Sequence, residues 1–151
     1  MHWLSQRIAS AVVAAVLWIA AVSSASPQVP LQQSERQGLN NLQHEMTTCV
    51  VFYGIMRQCL INRGRSEDAQ VIQQTTAAGD QVLKDAMKIG TSIGMTQDAM
   101  ASRIRNEMTS MRTLMNEDCI NVSSLLSRHA MRCKQVAENP DSVLAEYLQG
   151  R

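Results

Sequence analysis

Aromatic side chains are scarce in this chain, and their placement makes them scarcer still. Two Trp, two Tyr and one Phe occur among 151 residues, and both Trp, Trp3 and Trp18, fall within the first 25. The remaining ring systems, Phe52, Tyr53 and Tyr147, are too few to build the stacking platforms that hold bases or sugars. Charge of one sign is lacking as well. Fourteen Lys and Arg face 13 Asp and Glu, and the densest basic patch, Arg63 with Arg65, holds only two. Nucleic acid and anionic membranes are bound chiefly through net or clustered positive charge, so neither is expected as a partner.

Several catalytic signatures are also missing. There is no Gly-x-Ser-x-Gly nucleophile turn, and the stretch Gly90-Thr-Ser-Ile-Gly94 lacks the Gly-Lys-Ser/Thr ending of a phosphate loop. Ser127 and Arg128 beside His129 are local composition and not a catalytic arrangement, which needs a nucleophile, a base in reach and oxyanion donors. Glu107, Glu117 and Asp118 read as solvated helix charges. No Cys-x-x-Cys occurs, which argues against a thioredoxin-type centre and a zinc knuckle. The expectation is a protein that is not an enzyme and carries no cofactor.

What is present begins with an export signal. Arg7 precedes twelve uninterrupted apolar residues, Ala11 to Val22, and Ser23-Ser24-Ala25 places small residues at the −3 and −1 positions of a cut after Ala25. Residues 1–25 therefore read as a cleavable signal peptide. A membrane anchor would need roughly 20 apolar residues, so no integral span is expected after processing. No cysteine lies near the cut to carry a lipid. Cleavage leaves 126 of the 151 residues, enough for one core, and removes Arg7, so 13 basic residues balance 13 acidic ones. The protein is expected to be exported, to the periplasm or as a secreted protein.

Export changes how Cys49, Cys59, Cys119 and Cys133 are read. An even count in an oxidising compartment argues for disulfides, and four cysteines allow three pairings. A helix carrying both Cys49 and Cys59 separates them by about 15 Å of rise, against a disulfide's Cα spacing of roughly 4.4–6.8 Å. The bridges must then join early chain to late chain.

The mature chain reads as all-α: an up-and-down bundle of about four helices plus a short C-terminal helix, cross-linked by two disulfides. Residues 26–36, polar and with two prolines, read as a flexible leader, and 37–151 as a single helical domain. Leu39, Leu42, Met46, Cys49, Tyr53, Met56 and Leu60 recur at spacings of 3 and 4, an amphipathic stripe widened by Val50, Phe52 and Ile55 and stopped at Gly64. Ser66, with Glu67 and Asp68 behind it, is placed to cap a second helix striped by Ala69, Ile72, Thr76, Gly79, Leu83 and Ala86. Its small residues at 76–79 predict close approach to a neighbour. Thr96 is placed to cap a third helix, with Met95 and Met100 as a staple across it and Ile104, Met108, Met111 and Met115 inside.

No Gly or Pro interrupts Met95 to Asn139, so one long helix is conceivable, but residues 116–124 are poor helix formers and favour a break near Asn121. Beyond it Val122, Leu126, His129, Cys133 and Val136 form the last main stripe, with Cys119 in register. Asn139-Pro140 then starts a terminal helix carrying Val143, Leu144, Tyr147 and Leu148. With the break, the first and fourth helices are antiparallel and the bridges nest as Cys49–Cys133 and Cys59–Cys119, one end sitting where a helix frays, near Cys119. An unbroken third helix would instead pair Cys49 with Cys119 and Cys59 with Cys133.

Methionine is the compositional oddity, ten in all. Met108, Met111 and Met115 share a face, and soft thioethers bind Cu(I) in exported proteins; the same spacing is also what a core stripe demands, with Met filling gaps that aromatics would otherwise occupy. His44 with Met46, and His129 with Met131, resemble paired ligands, yet residues two apart on a helix diverge. Asn121-Val122-Ser123 is a glycosylation sequon only in a eukaryotic secretory pathway. Three functional readings stand: a protein-binding or structural module whose partner is a protein, a soft-metal binder using Met108, Met111 and Met115 with His44 or His129, and a carrier of a small apolar ligand.

Overall fold

A computed structural model describes residues 32–150 apart from Asp68. The signal peptide read at 1–25 and residues 26–31 of the leader lie outside the described residues. Five helices follow in order: α1 Gln33–Asn62, α2 Gln70–Ser92, α3 Gln97–Leu114, α4 Ser123–Glu138 and α5 Pro140–Leu148, with one 3₁₀ turn at Cys119–Asn121. No strand occurs among the described residues.

The longest helix, α1, is the axis of the fold and touches each of the other four. Helix α2 runs back along it: Tyr53 lies against Gly79, and Gln43 against Gly90. Helix α3 runs parallel to α1, with Arg103 bonded to Asn40 and Gln43 at one end and Met115 beside Cys59 at the other. Helix α4 is antiparallel again. The result is the expected up-and-down arrangement, and both disulfides follow from it. Cys49 pairs with Cys133 and Cys59 with Cys119, at Cα separations of 5.1 and 5.3 Å. Cys119 sits in the 3₁₀ turn between α3 and α4, so the helical interruption near Asn121 is what brings the inner bridge together.

Helix stops are chemically explicit. After α1 and α2 the chain turns through Gly64 (φ 81°) and Gly94 (φ 83°). In each case the amide beyond the glycine donates back into the last turn: Arg65 N–H to the Leu60 carbonyl and Met95 N–H to the Gly90 carbonyl. Helix α3 ends with the same bonding pattern, but the left-handed residue is Asn116 (φ 52°), followed by a second one, Glu117 (φ 58°). Two successive left-handed non-glycine residues cost roughly 1–2 kcal/mol each, less for Asn, whose side chain tolerates the region. Thr96 caps α3 by accepting from the Ala99 amide, and Asn139 caps α5 by accepting from Ser142.

Four local expectations shift. Helix α1 begins at Gln33, so 33–36 are its first turn and not leader. Tertiary packing accounts for this: Arg36 donates to the Ile93 carbonyl, and Gly38 lies under Leu144 and Leu148 of α5. Ser66 does not cap α2, whose first turn is preceded by Ala69 with no side-chain bond. In α2 Val82 is buried ahead of Leu83, and in α4 Leu125 is buried while Leu126 is 41% exposed. Helix α4 also touches α2 and α3, which rotates its inner face from 126 toward 125.

The core is built from mid-sized side chains. Leu42, Met46, Val51, Phe52 and Ile55 of α1 meet Val82 and Ala86, Met111 and Met115, Leu125 and Val136, and Val143. Because α1 is enclosed on most sides, it also buries two polar residues, Gln43 and Thr47. Thr47 Oγ1 donates to the Gln43 carbonyl and accepts from Gln43 Nε2, and Arg103 donates to Gln43 Oε1. Both are satisfied, as buried polar groups must be.

Candidate functional site

Where α1 and α3 run in parallel toward the inner disulfide, they leave a cleft. Gly54 has no side chain to fill it, and no neighbouring atom lies within 4 Å of where its Cβ would sit. Ile55, Met108, Met115 and the Cys59–Cys119 bridge form an apolar floor; Gln58, Asn62, Arg112 and Glu117 stand on the rim. The volume is about 310 Å³, at the lower end of ligand pockets. The left-handed pair Asn116-Glu117 is what carries the Glu117 side chain to the rim instead of continuing α3 outward.

The wall formed by the 115–122 segment is tied in place by four contacts. The bridge itself is one. Arg63 Nη2 donates to the Cys119 carbonyl at 2.7 Å, Asn121 Nδ2 to the Met115 carbonyl at 2.9 Å, and the Asp118 carboxylate accepts from the Ile120 amide. Ile120, next to Cys119, is 77% exposed.

A second polar constellation clasps α5 to α1 and α4. Glu45 accepts from Arg132 Nε and Nη2 and from the Tyr147 hydroxyl at 2.6 Å. Arg132 Nη1 reaches Glu146 at 2.7 Å, and Gln135 bonds both Arg132 and Glu146. The two-point Arg132–Glu45 contact is the strong geometry for such a pair. Its carboxylate raises the Arg132 pKa further above its ordinary value, while Arg132 and Gln135 hold the Glu146 carboxyl below the usual range. Burial, reinforced by the bond to Glu45, raises the Tyr147 hydroxyl. Every group is engaged with another protein group. The arrangement holds a helix in place and offers no open ligand position.

No known relative emerges. Comparison with family models, curated proteins and solved structures finds no match in any of the three. Function must therefore be read from the geometry of this chain.

Of the ligand residues singled out in the sequence, Met108 and Met115 line the cleft together, whereas Met111, His44 and His129 are not part of its lining. Met111 and Met115 are buried at 2% and 4% exposure as core, and Met108 is half-buried on the cleft floor. His44 is exposed, with Nε2 3.7 Å from Glu107 Oε1. His129 lies against Phe52, and its pKa is lowered by burial, with Glu107 opposing the shift and Arg128 adding to it. Met46 is buried and Met131 is 87% exposed, so neither His-x-Met closes on one point. Among the described residues no group of three or more His, Cys, Asp or Glu could hold a metal ion. The cleft rim went unseen in the sequence. Its one trace was the helix-poor stretch 116–124, read as a break and not as a wall.

Proposed function

We propose that the chain is an exported, non-enzymatic protein-binding module whose α1–α3 cleft receives an apolar side chain of a partner protein, with Ile120 packing beside it. The observation that carries this is an apolar floor of Ile55, Met108 and Met115 beneath an open polar rim; Ile120, exposed, follows Cys119 of that lining in sequence. Methionine suits such a floor, since its unbranched thioether repacks around whatever enters. Arg112 and Glu117, of opposite sign on the rim, supply orientation. Burying one leucine-sized side chain contributes about 1.5–3 kcal/mol, which alone gives weak binding. The surrounding rim and Ile120 must therefore add contact area. Two disulfides fit an oxidising compartment, and no helix among the described residues is long and apolar enough to cross a membrane.

The same floor would suit a small apolar ligand, but the cleft is open to solvent, whereas ligand pockets bury most of their guest. A partner surface closes such a cleft; a small molecule does not. The test is a photo-activatable residue at Gln58 in the exported protein, with the same residue at Lys84 on the exposed side of α2 as control. A discrete protein adduct is expected from Gln58 and not from Lys84, and Ile120→Asp should abolish it. Equal labelling from both positions, or an adduct indifferent to Ile120→Asp, refutes the reading.

A further inference from the structure

The two disulfides occupy different chemical environments. Cys49 and Cys133 are each 1% exposed and sit between α1 and α4 in the centre of the core. Cys59 is also buried, but its partner Cys119 is only partly buried, lies in an irregular segment, and shares with Cys59 the lining of the α1–α3 cleft. Thiol–disulfide exchange requires a thiolate to reach a sulfur directly, so access decides which bridge reacts from the folded state. We propose that Cys59–Cys119 is an exchangeable disulfide, opened by a dithiol entering the cleft, while Cys49–Cys133 remains a permanent staple.

The chemistry balances without any group beyond the dithiol. Its thiolate attacks Cys119 Sγ, the accessible sulfur; the S–S bond breaks, and its electron pair leaves on Cys59 Sγ, which takes a proton from solvent in the cleft. The second thiol of the reagent then attacks the mixed disulfide at the reagent's own sulfur. This closes the reagent into a cyclic disulfide and releases Cys119 as thiolate. Asn62 Nδ2 stands 3.9 Å from that sulfur, and Arg63 and Arg112 are close by, so the departing negative charge meets donors of the right sign. The dithiol is oxidised by two electrons and the bridge reduced by two.

The surroundings are built to respond. Asn116 and Glu117, three and two residues before Cys119, hold left-handed conformations. Once it opens, the segment at 115–122 loses a covalent tether, and the cleft loses one wall while the remaining staple keeps α1 and α4 together. Exchange at this bridge requires no partner protein in the cleft.

The experiment is limited reduction of the native, oxidised protein with dithiothreitol, followed by quenching with an alkylating agent and peptide mapping, with circular dichroism recorded in parallel. Cys59 and Cys119 should be alkylated as a pair about 100-fold faster than Cys49 and Cys133, because the latter wait for a large opening of the core. The helical signal should persist while they are. Simultaneous loss of both bridges, prior loss of Cys49–Cys133, or opening of Cys59–Cys119 only together with loss of helix would each overturn the proposal. Photo-adduct formation at Gln58 is a separate readout, so failure of either reading leaves the other to be judged by its own experiment.

Discussion

Four glycines inside helices give a graded test of the packing around α1. Replacing each with alanine offers a similar propensity gain, about 1 kcal/mol in a helix interior, while the new methyl meets four different environments. At Gly54 nothing lies within 4 Å, so the full gain should appear, raising the melting temperature by roughly 4 °C for a domain of this size. At Gly38 the methyl would come 2.9 Å from Leu148 Cδ2, but Leu148 is 47% exposed and can swing outward, leaving a net gain of about 0.5 kcal/mol. At Gly79 it would sit 3.1 Å from Tyr53 Cβ, an atom fixed to the α1 backbone that can yield only if the helices part. The gain there should be cancelled to within about 0.5 kcal/mol. At Gly90 it would overlap the Met100 thioether, which is 2% exposed and has nowhere to go. Overpacking typically costs about 1–3 kcal/mol, so this variant should lose about 1–2 kcal/mol net. Urea denaturation of the oxidised proteins, with the slope checked for constancy, measures all four. The predicted order of stability is Gly54→Ala, Gly38→Ala, Gly79→Ala, Gly90→Ala. A Gly90→Ala protein as stable as Gly54→Ala would mean that Met100 of α3 does not lie against Gly90 of α2 as described.

Three further outcomes follow from the same geometry. The inner bridge shortens the loop that Cys49–Cys133 closes to the 24 residues by which their separations, 84 and 60, differ; its removal by paired Cys→Ala substitution should cost about 3.5 kcal/mol in denaturant titration. Glu146 has a depressed carboxyl pKa, so its contribution is fully present above the ordinary carboxylate value and is lost as pH falls through the depressed one; Glu146→Gln should flatten the acid limb of a stability-versus-pH curve, and an unchanged limb would exclude the clasp as its source. Thr96→Ala and Asn139→Ala should each cost about 1 kcal/mol. Capping distant helices with no shared partner, they should add in the double variant, as calorimetry would show.

How much was legible in the sequence depended on the range of the interaction. Thr96, Asn139-Pro140, Gly64 and the helix-poor 116–124 stretch announce their roles through the residues beside them, and each is found where the local pattern places it. The small residues at 76–79 announced a close approach, and Gly79 against Tyr53 supplies it. The nested disulfides followed from the break, because an interruption before Asn121 fixes the direction of α4. What escaped was set by partners far along the chain. Glu45 meets Arg132 and Tyr147 across 87 and 102 residues, and no periodicity encodes that. Gln43 and Thr47 look like solvent positions in a stripe with one apolar face. They are buried because α1 has neighbours on nearly every side. Leu125 and Leu126 are adjacent and equally apolar, so only the docking of α4 chooses between them. The cleft was illegible for the same reason: it is a space between α1 and α3, made by Gly54 and the turn at Asn116-Glu117 together.

The architecture also explains how a chain so poor in aromatics is held together. Both disulfides begin on α1, at Cys49 and Cys59, and both polar clasps end on it, Arg103 at Gln43 and Arg132 at Glu45. The cross-links replace some of the cohesion that large buried rings would provide, and methionine fills the gaps left between aliphatic neighbours. This division makes the two walls of the cleft unequal. The α1 wall is anchored by the core staple and by packing against the other four helices. The opposite wall, from Met115 to Val122, is buried only at its two ends; between them it is held by one partly exposed bridge, one arginine contact and a turn that spends conformational energy on two left-handed residues. If a partner or a reductant acts on this domain, the displacement should therefore fall on the 115–122 segment and leave α1 in place. Hydrogen exchange on the oxidised and selectively reduced protein would show it as lost protection confined to that segment; a loss spread along α1 would contradict the argument.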